Sequence, residues 1–186
     1  MDRRRMTLYA AEKVDPDQYF KVPRYAVSIA GMFRSVKQVT DFTLDLSEAE
    51  NLNILNNFIM QTSLTTLRII GEFPTNKNVQ MRDVFRENYS LTAITGTPLN
   101  ASKWILAGGT LQYVPKLEYI RFVPNTIGFS ITLEHSSVLS DESIQSIIDG
   151  LATVTTTCTL TLHAKVKAKL TDEQKNTITV KGWTLA

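Results

Sequence analysis

A three-residue unit, apolar–x–apolar, recurs along this chain at a nearly constant interval. It appears as Phe42-Thr43-Leu44, Leu67-Arg68-Ile69, Ile94-Thr95-Gly96, Ile120-Arg121-Phe122, Ile131-Thr132-Leu133, Leu160-Thr161-Leu162 and Trp183-Thr184-Leu185. Counted from the first apolar residue, the intervals are 25, 27, 26, 11, 29 and 23 residues. Each unit reads as a short strand with its apolar side chains on one face. One such strand cannot bury that face alone. Strands stacked at a fixed period form a parallel sheet, and the segments between them return along the other side and cover the core. The 11-residue interval breaks the period. Pro124-Asn125 and Gly128 are turn signals within it, compatible with a rung on a short return loop or with a local hairpin; the short rung is the favoured expectation.

The return segments carry apolar residues three and four apart, which predicts helices. Leu52, Leu55, Phe58 and Ile59 form one such face; Val79, Met81, Val84 and Phe85 form another. Val27, Ile29, Met32, Phe33 and Val36 suit a short helix over 25–36, and Phe20-Lys21-Val22 reads as a further rung before it. Two starts are explicit. Ser140 is an N-cap followed by Asp141 and Glu142, with Ile144, Ile147, Ile148 and Leu151 on one face. Thr171 and Gln174 form a capping box, for a helix running to about Thr179.

An apolar residue stands three positions before four of the triplets, at Val39, Leu64, Leu91 and Leu117. The resulting L-x-x-L-x-L frame is that of a leucine-rich repeat. Residues 81–94, with Met81, Phe85, Ser90, Leu91, Thr92 and Ile94, resemble the M-x-x-x-F-x-x-x-x-S-L-T-x-I unit of BspA-like bacterial leucine-rich repeats. Residues 121–127, 139–152, 160–164, 167–174 and 182–186 are similar to the end module of leucine-rich-repeat proteins from gut Firmicutes and their prophages. The resemblance covers about 39–186 and is strongest over 117–186. It implies an α/β, leucine-rich-repeat-like solenoid, with residues 1–38 as an N-terminal segment and cap. It further implies a bacterial surface or phage-tail module for binding or structure, without catalytic residues.

Composition narrows the function. The chain has 186 residues, a net charge of +2, one cysteine and two histidines. No internal disulfide or multi-histidine metal site can be built from that set. Near-neutral charge argues against nucleic acid. No run approaches the ~18–20 apolar residues of a membrane span. Arg3–Arg5 precede only six residues, Met6–Ala11, before Glu12, too short for a secretory leader. That absence favours a phage particle component or a fragment of a longer protein over an exported adhesin. Arg3–Arg5 itself reads as a solvated segment.

The candidate chemistry is sparse. Glu134-His135 lacks a third ligand. His163 falls in the outward phase of its strand, and Cys158 points inward as a small hydrophobe. Gly108-Gly109 ends a helix carrying Trp104, and Lys165, Lys167 and Lys169 form a solvated basic strip. The better candidates are outward positions of the ladder: Thr66, Arg68, Thr95, Glu118, Tyr119, Arg121, Thr132 and Glu134. Arg and Tyr are frequent interface anchors. The expectation is a non-enzymatic module, free of metal and cofactor, that binds a protein or glycan. The alternative is a spacer that associates with copies of itself.

Overall fold

The structure is a computed structural model and describes residues 18–186. The expectations for Arg3–Arg5 and the first part of the N-terminal cap lie outside these residues. The fold is mixed α/β, with parallel sheets and a few short helices. No described helix is long and apolar enough to cross a membrane.

The first sheet contains β1 (Tyr19–Lys21), β2 (Asp41–Asp45), β3 (Thr66–Ile70) and β5 (Ala93–Gly96), in that order and all parallel. A bridge from Ala93 to Tyr119 adds a fifth rung. Tyr19 pairs with Thr43, Thr43 with Arg68, and Arg68 with Thr95, so each pass returns to the ladder 24 to 27 residues later. The lead residues Val39, Leu64, Leu91 and Leu117 are fully buried beneath it. Phe20, Phe33, Phe42 and Phe58 interlock at its start, with ring centroids 5.0–6.2 Å apart, in the edge-on or tilted arrangements that aromatic quadrupoles favour. The triplet at Ile94 ends in glycine for a reason. Gly96 has φ +85° and lies against Ile69 O, where an added Cβ would come within 2.1 Å.

The return segments over 25–36, 51–60 and 79–85 are not helices. Their N–H groups donate to the next segment, as Phe33 N to Phe58 O, Ser35 N to Met60 O, Asn57 N to Arg82 O and Ile59 N to Val84 O. Left-handed residues interrupt any helix, at Ser35, Gln61, Glu87 and Tyr113, and at Asn57 and Asp83 between them. The 3–4 apolar spacing is shared by a helix and by stacked turns, which is why periodicity misreads them. Bridges Ser28–Ile54 and Ile54–Gln80, with β4 (Val79–Gln80) against β6 (Trp104–Ile105), make a second parallel ladder on this side. Trp104 is thus on a strand, and Gly108-Gly109 lies in a turn after β6 rather than at the end of a helix.

The 11-residue interval is neither a hairpin nor a short rung on the first ladder. Every pairing among the described residues is parallel, and β7 (Ile131–Leu133) belongs to another sheet with β8 (Cys158–Leu162) and β9 (Trp183–Leu185). β7 continues from the second ladder. Phe129 stacks on Trp104 of β6 at 6.4 Å, and His135 lies 4.1 Å from the Tyr113 ring.

On the first side, α1 (Asp141–Gly150) takes the place after the fifth rung. Ser140 N donates to Glu118 O, continuing the column Thr65 N to Thr40 O, Thr92 N to Thr65 O and Glu118 N to Thr92 O. The Ser140 hydroxyl accepts from Ser143 N as its N-cap. The backbone N–H groups of Ile120 and Phe122 then donate to Ser143 Oγ at 3.0 Å and Ser146 Oγ at 2.9 Å. A helix spends its own amides internally, so side-chain hydroxyls cover the sheet edge.

α2 (Ala164–Lys167) is short and α3 (Asp172–Val180) starts with the Thr171–Gln174 capping box. Gln174 Nε2 donates to Gln145 Oε1, joining α3 to α1. Lys181 Nζ donates to the carbonyls of Ile148, Asp149 and Leu151 at the end of α1, at 2.7–3.1 Å. Burial pushes the Lys181 pKa down, against the pull of Asp149. Buried apolar side chains from Val22 to Trp183 form one continuous cluster.

Candidate functional site

Strand alternation places apolar residues of the first ladder inward and the residues between them outward. Phe42, Leu44, Leu67, Ile69 and Ile94 are buried. Two outward columns result. One runs Tyr19, Thr43, Arg68 and Thr95 by direct register; the other runs Asp41, Thr66, Ala93 and Tyr119. The Ala93–Tyr119 bridge puts Arg121 next to Thr95 in the first column. Arg121 Nη2 donates to Gly96 O at 3.2 Å, consistent with that position.

Local bonds hold these side chains. The Arg121 guanidinium lies over the Tyr119 ring at 5.8 Å, a cation–π contact. Tyr119 OH donates to Glu142 Oε1 at 3.2 Å. Thr95 Oγ1 donates to Leu67 O at 3.4 Å, and Thr65 Oγ1 to Asp41 Oδ1 at 2.9 Å. At the first rung, Tyr19 OH donates to Asp45 Oδ2. That bond raises the phenol pKa and keeps its proton in place. Bonds from Ser47 and Tyr19 hold the Asp45 carboxyl below its ordinary value. A shallow, open depression of about 560 Å³ lies on this face, lined by Gln18, Tyr19, Asp41, Thr43, Thr66 and Arg68 among others.

The face brings Thr66, Arg68, Thr95, Tyr119 and Arg121 together, with Glu118 exposed at its margin, where its carbonyl accepts from Ser140. Thr132 and Glu134 are elsewhere. Thr132 pairs with Thr161 in the β7–β9 sheet, and Glu134 Oε1 is 3.5 Å from His135 Nδ1. They look like ladder positions because their triplet has the same pattern, but the sheet has changed sides. Two contributors escape the triplet reading. Tyr19 faces outward one residue before Phe20, as strand alternation allows, and Glu142 comes from α1, which no strand pattern reveals.

The other candidates are structural. Nδ1 of His163 accepts from Lys165 N at 3.1 Å and caps α2. Lys165 and Lys167 lie on that helix, so the alternating basic strip of a strand is not formed. Cys158 is buried. Among the described residues, no three His, Cys, Asp or Glu side chains cluster as a metal site needs. Comparison with protein-family models, curated proteins and solved structures finds no match for the chain.

Proposed function

We propose that this chain is a leucine-rich-repeat-like solenoid acting as a non-enzymatic recognition module, which binds a protein or glycan through the outward face of its first ladder. Its setting in a bacterial surface or phage-tail assembly is part of the proposal and rests on the resemblance to BspA-like repeats. One observation carries the binding role: Thr43, Thr66, Arg68, Thr95, Tyr119 and Arg121 stand on consecutive parallel rungs and face away from the core, with Thr43, Thr66 and Arg68 lining a shallow depression. A face built on strands is rigid, so ordering it costs little on binding. Arg and Tyr side chains carry much of the energy at such interfaces.

The test begins with an array of host-surface proteins and glycans. Any hit is titrated against Arg68→Ala and Tyr119→Ala. Each substitution is expected to weaken binding at least tenfold with an unchanged thermal melt. Unchanged affinity in both variants refutes the ladder face as the binding surface.

A further inference from the structure

The ladder face has a charge spacing of its own. Arg68 and Arg121 occupy the same column, with Thr95 on the rung between them. Neighbouring strands lie ~4.8 Å apart, so the two arginines leave the sheet about 10 Å apart. No described carboxylate lies within ion-pair distance of either guanidinium. Arg121 spends one nitrogen on Gly96 O. A guanidinium carries five N–H donors in a fork that matches a carboxylate, so among the described residues most of this capacity is uncommitted. The side chains flanking Arg68 in its row are hydroxyls, Thr43 and Thr95. Hydroxyls donate and accept, as the hydroxyls of a sugar do.

Acidic groups bound this track. Asp41 stands beside Thr66 in the second column, and Glu142 holds the Tyr119 hydroxyl. A densely charged polyanion would meet these carboxylates, whereas a sparsely charged one can keep its anions on the arginine column. A linear glycan with a carboxylate on every second sugar spaces its charges by one disaccharide, a length comparable to two strand spacings. The depression reaches this column only at Arg68, and an open sheet face suits an elongated chain lying across the rungs better than a compact ligand needing enclosure. We propose that the Arg68–Thr95–Arg121 column binds a linear glycan carrying one carboxylate per disaccharide. This rests on the ladder face being the binding surface and names the ligand class for it.

Calorimetric titration of the full chain with a hyaluronan octasaccharide tests the proposal, with a chito-oligosaccharide of equal length as the uncharged probe. The hyaluronan fragment is expected to bind, and the neutral one at least tenfold more weakly. Affinity should fall at least tenfold in Arg68→Gln and in Arg121→Gln, and about threefold in Thr95→Val. Lys175→Gln, on the outer surface of α3, should leave it unchanged. Melts of each variant establish that the chain is folded. Absent binding by the folded wild type, equal binding of both probes, or indifference to both arginine substitutions overturns the proposal. If a protein ligand from the array needs Arg68 while hyaluronan does not bind, the ladder-face reading stands and this glycan assignment fails.

Discussion

Up to Arg121 the first side of the molecule carries the longer strands, and the second carries turns with short parallel bridges and the two-residue strands β4 and β6; beyond Ile131 the arrangement is exchanged. Helices α1 and α3 then hold the first side, and regular strands β7–β9 hold the second. The buried lead residue is common to both regions, since Leu117 and Leu139 are each fully enclosed. The residues after it differ. Leu117 leads into Glu118, Tyr119, Ile120, Arg121 and Phe122, with the period of two that a strand needs. Leu139 leads into Ser140, Asp141, Glu142 and Ser143, an N-cap and an acidic first turn. A buried leucine thus fixes where a pass enters the core, and the next four residues decide between strand and helix.

The largest expected effect contrasts a fixed backbone position inside the strand region with the crossing between regions. Gly96 is held at φ +85° against Ile69 O. Gly96→Val combines left-handed strain with a backbone clash, and should cost more than about 4 kcal/mol. Loss of the cooperative urea transition or of soluble protein is the expected readout. Gly128 lies at the crossing, has no positive φ and would meet nothing within 4 Å of an added Cβ. Gly128→Ala should stay within about 0.5 kcal/mol of wild type. Equal losses in the two variants would mean that the crossing is as constrained as the ladder.

The joint between the regions comes next in magnitude. In the double variant Ser143→Ala/Ser146→Ala the amides of Ile120 and Phe122 lose their acceptors. An unsatisfied buried donor costs about 1–3 kcal/mol, so a combined loss of about 2–4 kcal/mol is expected in urea unfolding. Hydrogen exchange localises it: Ile120 and Phe122 amides should exchange faster, while Leu67 and Ile69 change little. Retained protection at both amides would show that the helix meets the sheet edge without these hydroxyls.

Much of this architecture is legible in the sequence. The triplets at Phe42, Leu67, Ile94, Leu160 and Trp183 all lie on strands, both helix starts are where Ser140 and Thr171 place them, and Cys158 is inward. These features are local: alternation, a cap, a capping box. The side on which a strand lies is not local. Ile131-Thr132-Leu133 has the ladder pattern yet belongs to the other side, because the chain from Phe122 to Ile131 makes the same half-turn that takes Ile70 to Val79 and Gly96 to Trp104, and here the strand pattern stands at its far end. The turn stacks escape for a related reason, since their backbone bonds reach residues 25 positions away, as Phe33 to Phe58. For the candidate face, the repeat frame reveals Asp41, Arg68, Thr95 and Arg121 but not Glu142, which comes from α1.

The smallest effect concerns the first rung, where strand β1 is tied to β2 by the Tyr19–Asp45 clasp. The Asp45 carboxylate accepts from the Tyr19 hydroxyl and from Ser47 N, the latter at 2.8 Å, and its pKa lies below the ordinary 3.8. A carboxyl whose pKa is lower folded than unfolded adds stability that is present above the unfolded value. That stability is lost as pH falls through the folded value. Asp45→Asn should therefore lower stability at pH 7 by about 1 kcal/mol, the typical worth of a hydrogen bond. The difference between variant and wild type should shrink as pH drops below 3.8. Urea unfolding at neutral and acid pH measures both quantities. A deficit that is the same at both ends would show that the clasp depends on the shape of Asp45 and not on its charge.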